Sequence, residues 1–146
     1  MKKVKALAQQ GFTLLEVMIV IVILGIIASM VVPNLVGSQD TANIKKAVID
    51  VTQLETQLTM YRSQNYNYPT TEQGLEALVT ETDIEPLPKR FPDGGYINRL
   101  PKDPWGNEYQ LLNPGENGKM DVFSMGPDGE PGTEDDIGNW NLGEYQ

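Results

Sequence analysis

The chain has 146 residues, no cysteine, no histidine and a formal net charge of −9. This length gives one small domain, and the missing residue types exclude disulfides, Cys- or His-ligated zinc, and nucleophiles activated by histidine. Three lysines lie in residues 1–11, so the rest has 8 basic and 20 acidic residues, a net charge of −12. Because such a surface repels phosphate backbones, we expect no nucleic-acid partner.

A basic start, KKVK, precedes a long apolar segment. Residues 17–39 carry no charge, and a helix over residues 12–32 is long enough to span the core of a bilayer. Three interpretations fit: a cleaved secretory signal, an ordinary signal anchor, and a leader that is cut before the apolar segment. Glu16 discriminates among them, because a carboxylate at the edge of the apolar segment serves neither of the first two.

The next segment has the pattern of an amphipathic helix. Apolar residues recur at steps of three or four, which predicts a helix that runs to about Ser63. A lone Pro33 can kink a helix without ending it, so we expect one long helix that continues the apolar segment. The apolar positions are Ile44, Ala47, Val48, Val51, Leu54, Leu58 and Tyr61.

The second half of the chain predicts short elements. Thr70 and Gln73 have the spacing of a capping box, which indicates the start of a short helix. Residues 82–95, rich in Pro, Asp and Gly, predict an irregular loop. Two strands are expected near residues 108–112 and 120–124, joined by the turn NPGENGK. The tail GPDGEPGTEDDIGNW is too rich in Gly, Pro and acidic residues to predict regular structure, and the whole pattern indicates an α+β fold.

The segment LPKDPWGNEYQLL, residues 100–112, offers two aromatic side chains and one candidate acid. Trp105 and Tyr109 are expected to pack in the core. Asp103 lies between turn-forming residues and has no candidate base near it in the sequence. We therefore predict that Asp103 stabilises a turn and does not act as a catalytic acid.

An acidic loop, SMGPDGEPGTEDDI, covers residues 124–137. Calcium prefers six to eight oxygen ligands from carboxylates and from the carbonyls of a turning backbone, and Asp128, Asp135 and Asp136 lie in such a loop. The loop is not an EF-hand, because Ser124 and Gly126 take the places of that motif's first two carboxylates. Composition alone leaves a calcium site and a solvated acidic loop both open.

Several motifs together resemble a known family. The basic leader, the sequence GFTLLE over residues 11–16 and the apolar run are similar to the processed leader of type IV pilins and pseudopilins. PTTEQGLEAL, LPKDPWGNEYQL and DVFSMGPDGEPGTEDDIGNW resemble the major pseudopilin family of the type II secretion system. The resemblance implies a long N-terminal helix, transmembrane then amphipathic, packed on a small C-terminal domain with a short helix, a small antiparallel sheet and a calcium-binding loop.

The resemblance also implies domain boundaries and processing. Residues 1–11 would be a prepilin leader peptide, residues 12–33 a transmembrane and polymerisation helix, and residues 34–146 a periplasmic globular domain. A prepilin peptidase would cut between Gly11 and Phe12 and methylate the new amine. Since a carboxylate in hydrocarbon is costly without a partner, the Phe12 ammonium of one subunit is expected to pair with Glu16 of its neighbour during assembly.

A calcium site follows from the same resemblance. In that family three aspartates bind Ca²⁺ together with main-chain oxygens. At the matching positions of this sequence the ligands are Asp128, Asp135 and Asp136, with carbonyls from Met125 and Thr133. A bound metal ion can stabilise a small domain that has no disulfides, so such a site is physically reasonable.

The implied function is that of a structural subunit, without enzymatic activity, of the periplasmic pseudopilus that drives folded proteins across the outer membrane of a Gram-negative bacterium. The implied partners are further copies of the chain in a homopolymer, minor pseudopilins, the prepilin peptidase and the inner-membrane assembly platform. Before assembly, the subunit would be held in the inner membrane by a single span. None of these partners is a nucleic acid.

Three alternatives remain open from the sequence. The first is a type IV pilin or a minor pseudopilin, and the second is a monomeric, membrane-anchored calcium-binding module. The third is an anchored hydrolase that uses Asp135 and Asp136. Adjacent carboxylates on a turn are poorly placed to flank a substrate, which disfavours the third.

Overall fold

In the computed structural model of the protein, residues 11–145 are described, with the backbone alone for residues 31–36. The predicted leader, residues 1–11, therefore lies outside the described residues except for Gly11. The chain divides into two compact units between Gln39 and Asp40. The processing and topological boundaries predicted after residues 11 and 33 stay predictions.

One long helix, α1, spans Leu14–Asn65 and has 52 residues. At its start the hydroxyl of Thr13 accepts a hydrogen bond from the N–H of Glu16 at 3.2 Å, and the Thr13 carbonyl accepts one from Val17 at 3.2 Å. Thr13 therefore caps the first turn. The helix continues through Pro33 and ends two residues beyond Ser63, which confirms the prediction of one continuous helix.

The N-terminal part of α1 has an apolar surface. All residues from 11 to 30 are exposed, including Phe12 at 82% and Leu14 at 79%. Among the residues whose side chains are described, no helix combines the length and the hydropathy required of a membrane span.

The core of the second unit forms where the amphipathic part of α1 packs against the short elements that follow it. Val51, Leu54, Leu58 and Tyr61 are at most 2% exposed, and they lie on one face of the helix as the three-and-four spacing predicts. Their partners in the buried cluster are Leu75, Ala77, Leu78, Tyr109, Leu111, Met120 and Val122.

The predicted capping box exists, but the element after it is shorter than expected. The N–H of Thr70 donates to Gln73 Oε1 at 2.9 Å, and the N–H of Gln73 donates to Thr70 Oγ1 at 3.1 Å. Gly74 then adopts a φ of 61°, in the left-handed region, which interrupts an α-helix. The chain continues as a 3₁₀ helix over Leu75–Leu78.

Three short antiparallel strands form one sheet, in which strands that follow one another in the chain are neighbours. The two predicted strands appear as β1, Gln110–Leu112, and β2, Asp121–Ser124. The third strand, β3, spans Ile137–Gly138 and pairs with the end of β2. The prediction that the tail, residues 126–140, has no regular structure is therefore wrong at β3. Beyond this tail, a 3₁₀ helix spans Leu142–Tyr145.

Side-chain contacts explain why so short a strand as β3 forms. Ile137 is 1% exposed. Asn139 extends the pairing, because its N–H donates to the Val122 carbonyl at 3.1 Å, its Oδ1 accepts from the Val122 N–H at 3.2 Å, and its Nδ2 donates to the Met120 carbonyl at 3.2 Å. The amide of Asn139 thus supplies contacts that composition does not reveal.

The two faces of the sheet have different surroundings. Leu111 and Val122 are paired across β1 and β2 and belong to the buried cluster that contacts α1. Since side chains alternate along a strand, the neighbouring pairs, Gln110 with Phe123 and Leu112 with Asp121, lie on the opposite face. That face borders the acidic loop.

Candidate functional site

The first candidate site is the start of α1. Phe12 is exposed just before the helix, and Glu16 is exposed in its first turn. A carboxylate at this position interacts favourably with the positive end of the helix dipole. Thr13 is not among the residues predicted from the sequence, although Thr13 and Glu16 have the Thr-x-x-Glu spacing of a helix start.

The segment around Asp103 anchors the base of the acidic loop. Asp103 is 5% exposed, and its Oδ1 accepts hydrogen bonds from the N–H groups of Trp105 at 3.0 Å and Asn107 at 2.7 Å. This confirms the prediction of a turn residue. Its other oxygen, Oδ2, accepts a hydrogen bond from the hydroxyl of Ser124 at 2.7 Å, and that hydroxyl accepts one from Gly126 N–H at 3.1 Å.

The two aromatic residues of this segment differ in burial. Tyr109 is 6% exposed and belongs to the core, and its hydroxyl donates to Asp50 Oδ2 at 2.7 Å. Burial, together with this hydrogen bond, raises the pKa of Tyr109. Trp105 is half-buried and lies outside the core cluster, so the core prediction holds for Tyr109 alone.

Asp135 connects distant parts of the acidic loop. Its Oδ1 accepts a hydrogen bond from the hydroxyl of Thr133 at 2.6 Å, and its Oδ2 accepts one from the N–H of Asp128 at 3.2 Å. Asp128 is exposed, and its Oδ1 accepts a hydrogen bond from Glu130 N–H at 2.8 Å. Hydrogen bonds to the carboxylates of Asp128 and Asp135 therefore hold the two ends of the loop close together.

Asp136 is the buried carboxylate of the loop, 5% exposed. Its Oδ2 accepts a hydrogen bond from Gly132 N–H at 2.7 Å, and its own N–H donates to the Thr133 carbonyl at 3.4 Å. Its Oδ1 is buried and has no hydrogen-bond partner among the described residues. A buried oxygen in this state favours a cation or a donor beside it.

The two neighbouring aspartates have opposite pKa shifts. The hydrogen bond from the Thr133 hydroxyl lowers the pKa of Asp135, with help from the Asp128 N–H. Burial raises the pKa of Asp136, against the hydrogen bond from Gly132, and the charges of Asp135 and Asp128 raise it further. The two carboxyl groups thus differ in how readily they ionise.

Four of the five predicted calcium ligands are joined by hydrogen bonds: Asp128, Thr133, Asp135 and Asp136. The fifth, Met125, is half-buried just before Gly126. Over the part of the chain that the structure describes, no three or more His, Cys, Asp or Glu side chains are grouped to hold a metal ion. Calcium binding at these residues therefore stays a prediction.

Gly126→Ala should destabilise the acidic loop strongly. Gly126 has a φ of 64°, and a Cβ there would meet the carbonyl oxygen and the carboxylate of Asp135. We expect a loss of about 1–2 kcal/mol in the free energy of unfolding from the left-handed backbone and roughly 1–3 kcal/mol more from the clash. Chemical denaturation of this variant and of the unsubstituted chain measures the difference in the free energy of unfolding.

Gly132→Ala is the matched control, because its φ is 88° and a Cβ would meet nothing within 4 Å. It should show the backbone cost without the clash. Equal losses for the two variants would contradict the tight contact between Gly126 and Asp135.

Comparisons with known proteins identify the family. The pattern described as "Type II secretion system (T2SS), protein G" matches residues 34–140. The chain belongs to this protein G family. A second pattern, the prokaryotic N-terminal methylation motif, matches residues 7–32 and includes Gly11, Phe12 and Glu16.

Relatives support the assignment along the whole chain. The type II secretion system core protein G of Pectobacterium carotovorum subsp. carotovorum is 63% identical over 134 residues, which are 92% of this chain and 86% of that protein. The Vibrio cholerae serotype O1 protein of the same name is 57% identical over 149 residues and covers all of both chains.

A solved structure supports the fold. The crystal structure of the major pseudopilin from the type 2 secretion system of enterohaemorrhagic Escherichia coli matches with a TM-score of 0.69 and 57% sequence identity, over 76% of this chain and 97% of that chain. This confirms the family resemblance and the α+β fold with a small antiparallel sheet. The protein G family to which the chain belongs has the major pseudopilin role in type II secretion.

Proposed function

We propose that the mature chain polymerises into the periplasmic pseudopilus and, as its main structural subunit, drives folded proteins across the outer membrane. The observation that supports this most is the match to the protein G family over residues 34–140, joined to an N-terminal methylation motif. The role is structural, with no catalytic step. Its partners are other copies of the chain, minor pseudopilins and the inner-membrane assembly platform.

Residues 12–32 are proposed to lie in the inner membrane before assembly, with the second unit in the periplasm. The exposed apolar surface from Phe12 to Met30 supports this, because an apolar surface of that size requires a cover of lipid or protein. In the filament, the same surface would pack against the N-terminal helices of other subunits.

Proteolytic processing prepares the chain to leave the membrane and enter the filament. We propose that a prepilin peptidase cuts between Gly11 and Phe12 and that the new amine is methylated. The exposed positions of Phe12 before the helix and Glu16 in its first turn leave both groups accessible to a neighbour. The Phe12 ammonium of one subunit and the Glu16 carboxylate of the next then form an ion pair that sets the register of the filament.

The acidic loop is proposed to bind Ca²⁺. Its donor set suits this ion, since Asp128, Asp135 and Asp136 supply carboxylate oxygens and Met125 and Thr133 supply carbonyls. Asp136 Oδ1, which has no hydrogen-bond partner among the described residues, is a buried oxygen that a cation would satisfy. Bound calcium would neutralise the repulsion among the carboxylates and hold the loop closed.

Overproduction tests the proposed role. When it is expressed in excess with a prepilin peptidase and an assembly platform, the chain should form homopolymeric filaments visible by electron microscopy. It should also restore export of folded proteins in a strain that lacks its own major pseudopilin. A minor pseudopilin or a monomeric calcium-binding module would form no such filaments and would not restore export. Failure of this chain in both assays would therefore contradict the proposal.

A further inference from the structure

The end of α1 carries an exposed aromatic residue with an unusual backbone conformation. Among the non-glycine residues that the structure describes, Tyr66 alone has a positive φ, at 69°. Its N–H donates to the Arg62 carbonyl at 2.7 Å, so Tyr66 closes the last turn of the helix. Glycine or asparagine usually occupies such a position, because other side chains are strained in the left-handed region.

Folding stability does not explain a tyrosine at this position. Tyr66 is 73% exposed, so its ring gains little from burial. The ammonium of Lys89 lies 4.6 Å from the centre of the ring, and a cation–π contact at an exposed site is weak. Because nothing in the folded subunit offsets the strain at Tyr66, the residue points to a role in contact with another molecule.

Basic side chains surround this end of the helix. Arg62 lies over the ring of Tyr68, with its guanidinium carbon 5.2 Å from the ring centre. Arg90 is held beside the helix by its N–H, which donates to Oδ1 of buried Asn65 at 2.8 Å. Arg62, Lys89 and Arg90 are exposed and are three of the eight basic residues that follow residue 11. Positive charge is therefore concentrated here, in a chain that is otherwise strongly acidic.

These side chains and one exposed leucine form a continuous surface, which we name the tyrosine patch. Leu87 is 53% exposed and borders the same small cavity as Tyr68. Glu85 lies beside the patch, where its carboxylate accepts a hydrogen bond from Leu87 N–H at 3.1 Å, and one carboxylate against three cations leaves a net positive charge. Tyrosine and arginine are enriched at protein–protein interfaces. The members of the patch are Arg62, Tyr66, Tyr68, Leu87, Lys89 and Arg90.

The charge of the tyrosine patch determines how two copies of the chain can meet through it. A symmetric contact would place the patch against itself, with the three cations of each copy facing those of the other, and like charges in contact are unfavourable. The patch therefore fits a different surface of the next copy, one that is acidic. A contact between two different surfaces can repeat from copy to copy and build an open filament.

We propose that the tyrosine patch of one subunit docks on an acidic surface of a neighbouring copy of the chain, with Tyr66 as the central side chain. The inference rests on the proposed polymerisation, and it adds a contact of the second unit to the proposed pairing of Phe12 with Glu16. The cations supply charge complementarity. The exposed ring supplies an area that becomes buried when the two copies meet.

Tyr66→Gly separates this role from a structural one. Glycine removes the ring and relieves the strained backbone, so we expect the melting temperature of the second unit in the full chain to rise by about 2–5 °C. Filaments formed with a prepilin peptidase and an assembly platform should become several-fold fewer or shorter by electron microscopy. A lower melting temperature would show that the tyrosine serves folding, and unchanged assembly would show that it serves no contact; either result would overturn the proposal.

Charge reversal tests the basic part of the patch. Lys89→Glu should reduce the number and length of the filaments, because it places a carboxylate opposite the acidic surface of the next copy. Lys45→Glu is the matched control. It reverses an exposed cation that lies about 25 Å from Arg62 along α1, and it should leave assembly normal. Equal losses in the two variants would indicate an effect of net charge alone and would overturn the assignment.

A cross-link identifies the partner. The chain has no cysteine, so Tyr66→Cys creates a single attachment site for a thiol-reactive photo-cross-linker. In filaments the linker should join residue 66 to an acidic segment of a second copy, located by mass spectrometry after digestion. Cross-links to a different protein alone, or to residue 66 of the second copy, would overturn the proposed contact.

The unsubstituted chain in the same assembly assay distinguishes this inference from the proposed function. If the unsubstituted chain forms no filaments, the proposed polymerisation is wrong. If it forms filaments that Tyr66→Gly and Lys89→Glu leave unchanged, the polymerisation stands and the docking of the tyrosine patch is wrong.

Discussion

Glu16→Ala is expected to abolish or strongly reduce filament assembly while leaving the second unit folded. The substitution removes the carboxylate that we propose pairs with the Phe12 ammonium of the neighbouring subunit. It leaves the backbone N–H of residue 16 available to the Thr13 hydroxyl, which the structure places 3.2 Å away. The loss should therefore appear in filament number and length by electron microscopy, with thermal unfolding of the second unit unchanged.

Two controls make this result specific. Glu72→Ala removes an exposed carboxylate of the second unit and should leave assembly normal. Thr13→Ala removes the cap and should cost helix stability of about 1 kcal/mol while retaining the carboxylate. Normal assembly rate and length in Glu16→Ala would contradict the ion-pair account, and a defect in Thr13→Ala as large as that in Glu16→Ala would show that helix capping explains the effect.

Removal of calcium is expected to lower the melting temperature of the second unit markedly. A ligand present at about 100 times its dissociation constant stabilises the folded state by about 2.7 kcal/mol. In a domain of this size such a change corresponds to a shift on the order of 10 °C. Calorimetry of the protein with excess calcium and with chelator measures the shift directly.

Asp135→Ala should remove this calcium response. It should also lower stability without calcium, because Asp135 accepts hydrogen bonds from Thr133 and Asp128, so the response to calcium is the decisive measurement. Glu134→Ala changes the preceding exposed carboxylate and should retain the full response. A melting temperature indifferent to chelator in the unsubstituted chain would contradict the calcium site.

Periodicity in the sequence predicted the elements with strong local signals. The recurrence of apolar residues from Ile44 to Tyr61 predicted the buried face of α1, and the Thr70 and Gln73 spacing predicted the capping box. Strands β1 and β2 were placed within two residues of their observed starts. In each case, residues close in the chain determine the structure.

The missed features depend on contacts between distant residues. Strand β3 forms because Ile137 is buried and Asn139 bonds to β2, and a segment dominated by Gly, Pro and acidic residues gives no local sign of either. The bond between Ser124 and Asp103 joins residues 21 positions apart. Composition therefore identified Asp103 as a turn residue but not as the anchor of the acidic loop.

In the acidic loop, too, the sequence predicts the residue types but not the contacts that depend on the fold. Composition singled out Asp128, Asp135 and Asp136 as oxygen donors, and the family resemblance added Met125 and Thr133. Which oxygens already have partners is a property of the folded loop, where both oxygens of Asp135 accept hydrogen bonds and Asp136 Oδ1 accepts none among the described residues.

Mass spectrometry of the mature N-terminus is the sharpest test of the proposed cleavage and of the ion pair that depends on it. We expect the chain isolated from cells with an active prepilin peptidase to begin at Phe12 and to carry a methyl group on that amine. A chain that still begins at Met1, or that is cut within or after the apolar segment, would lack the amine that pairs with Glu16. Either result would contradict the proposed processing and the ion pair between subunits.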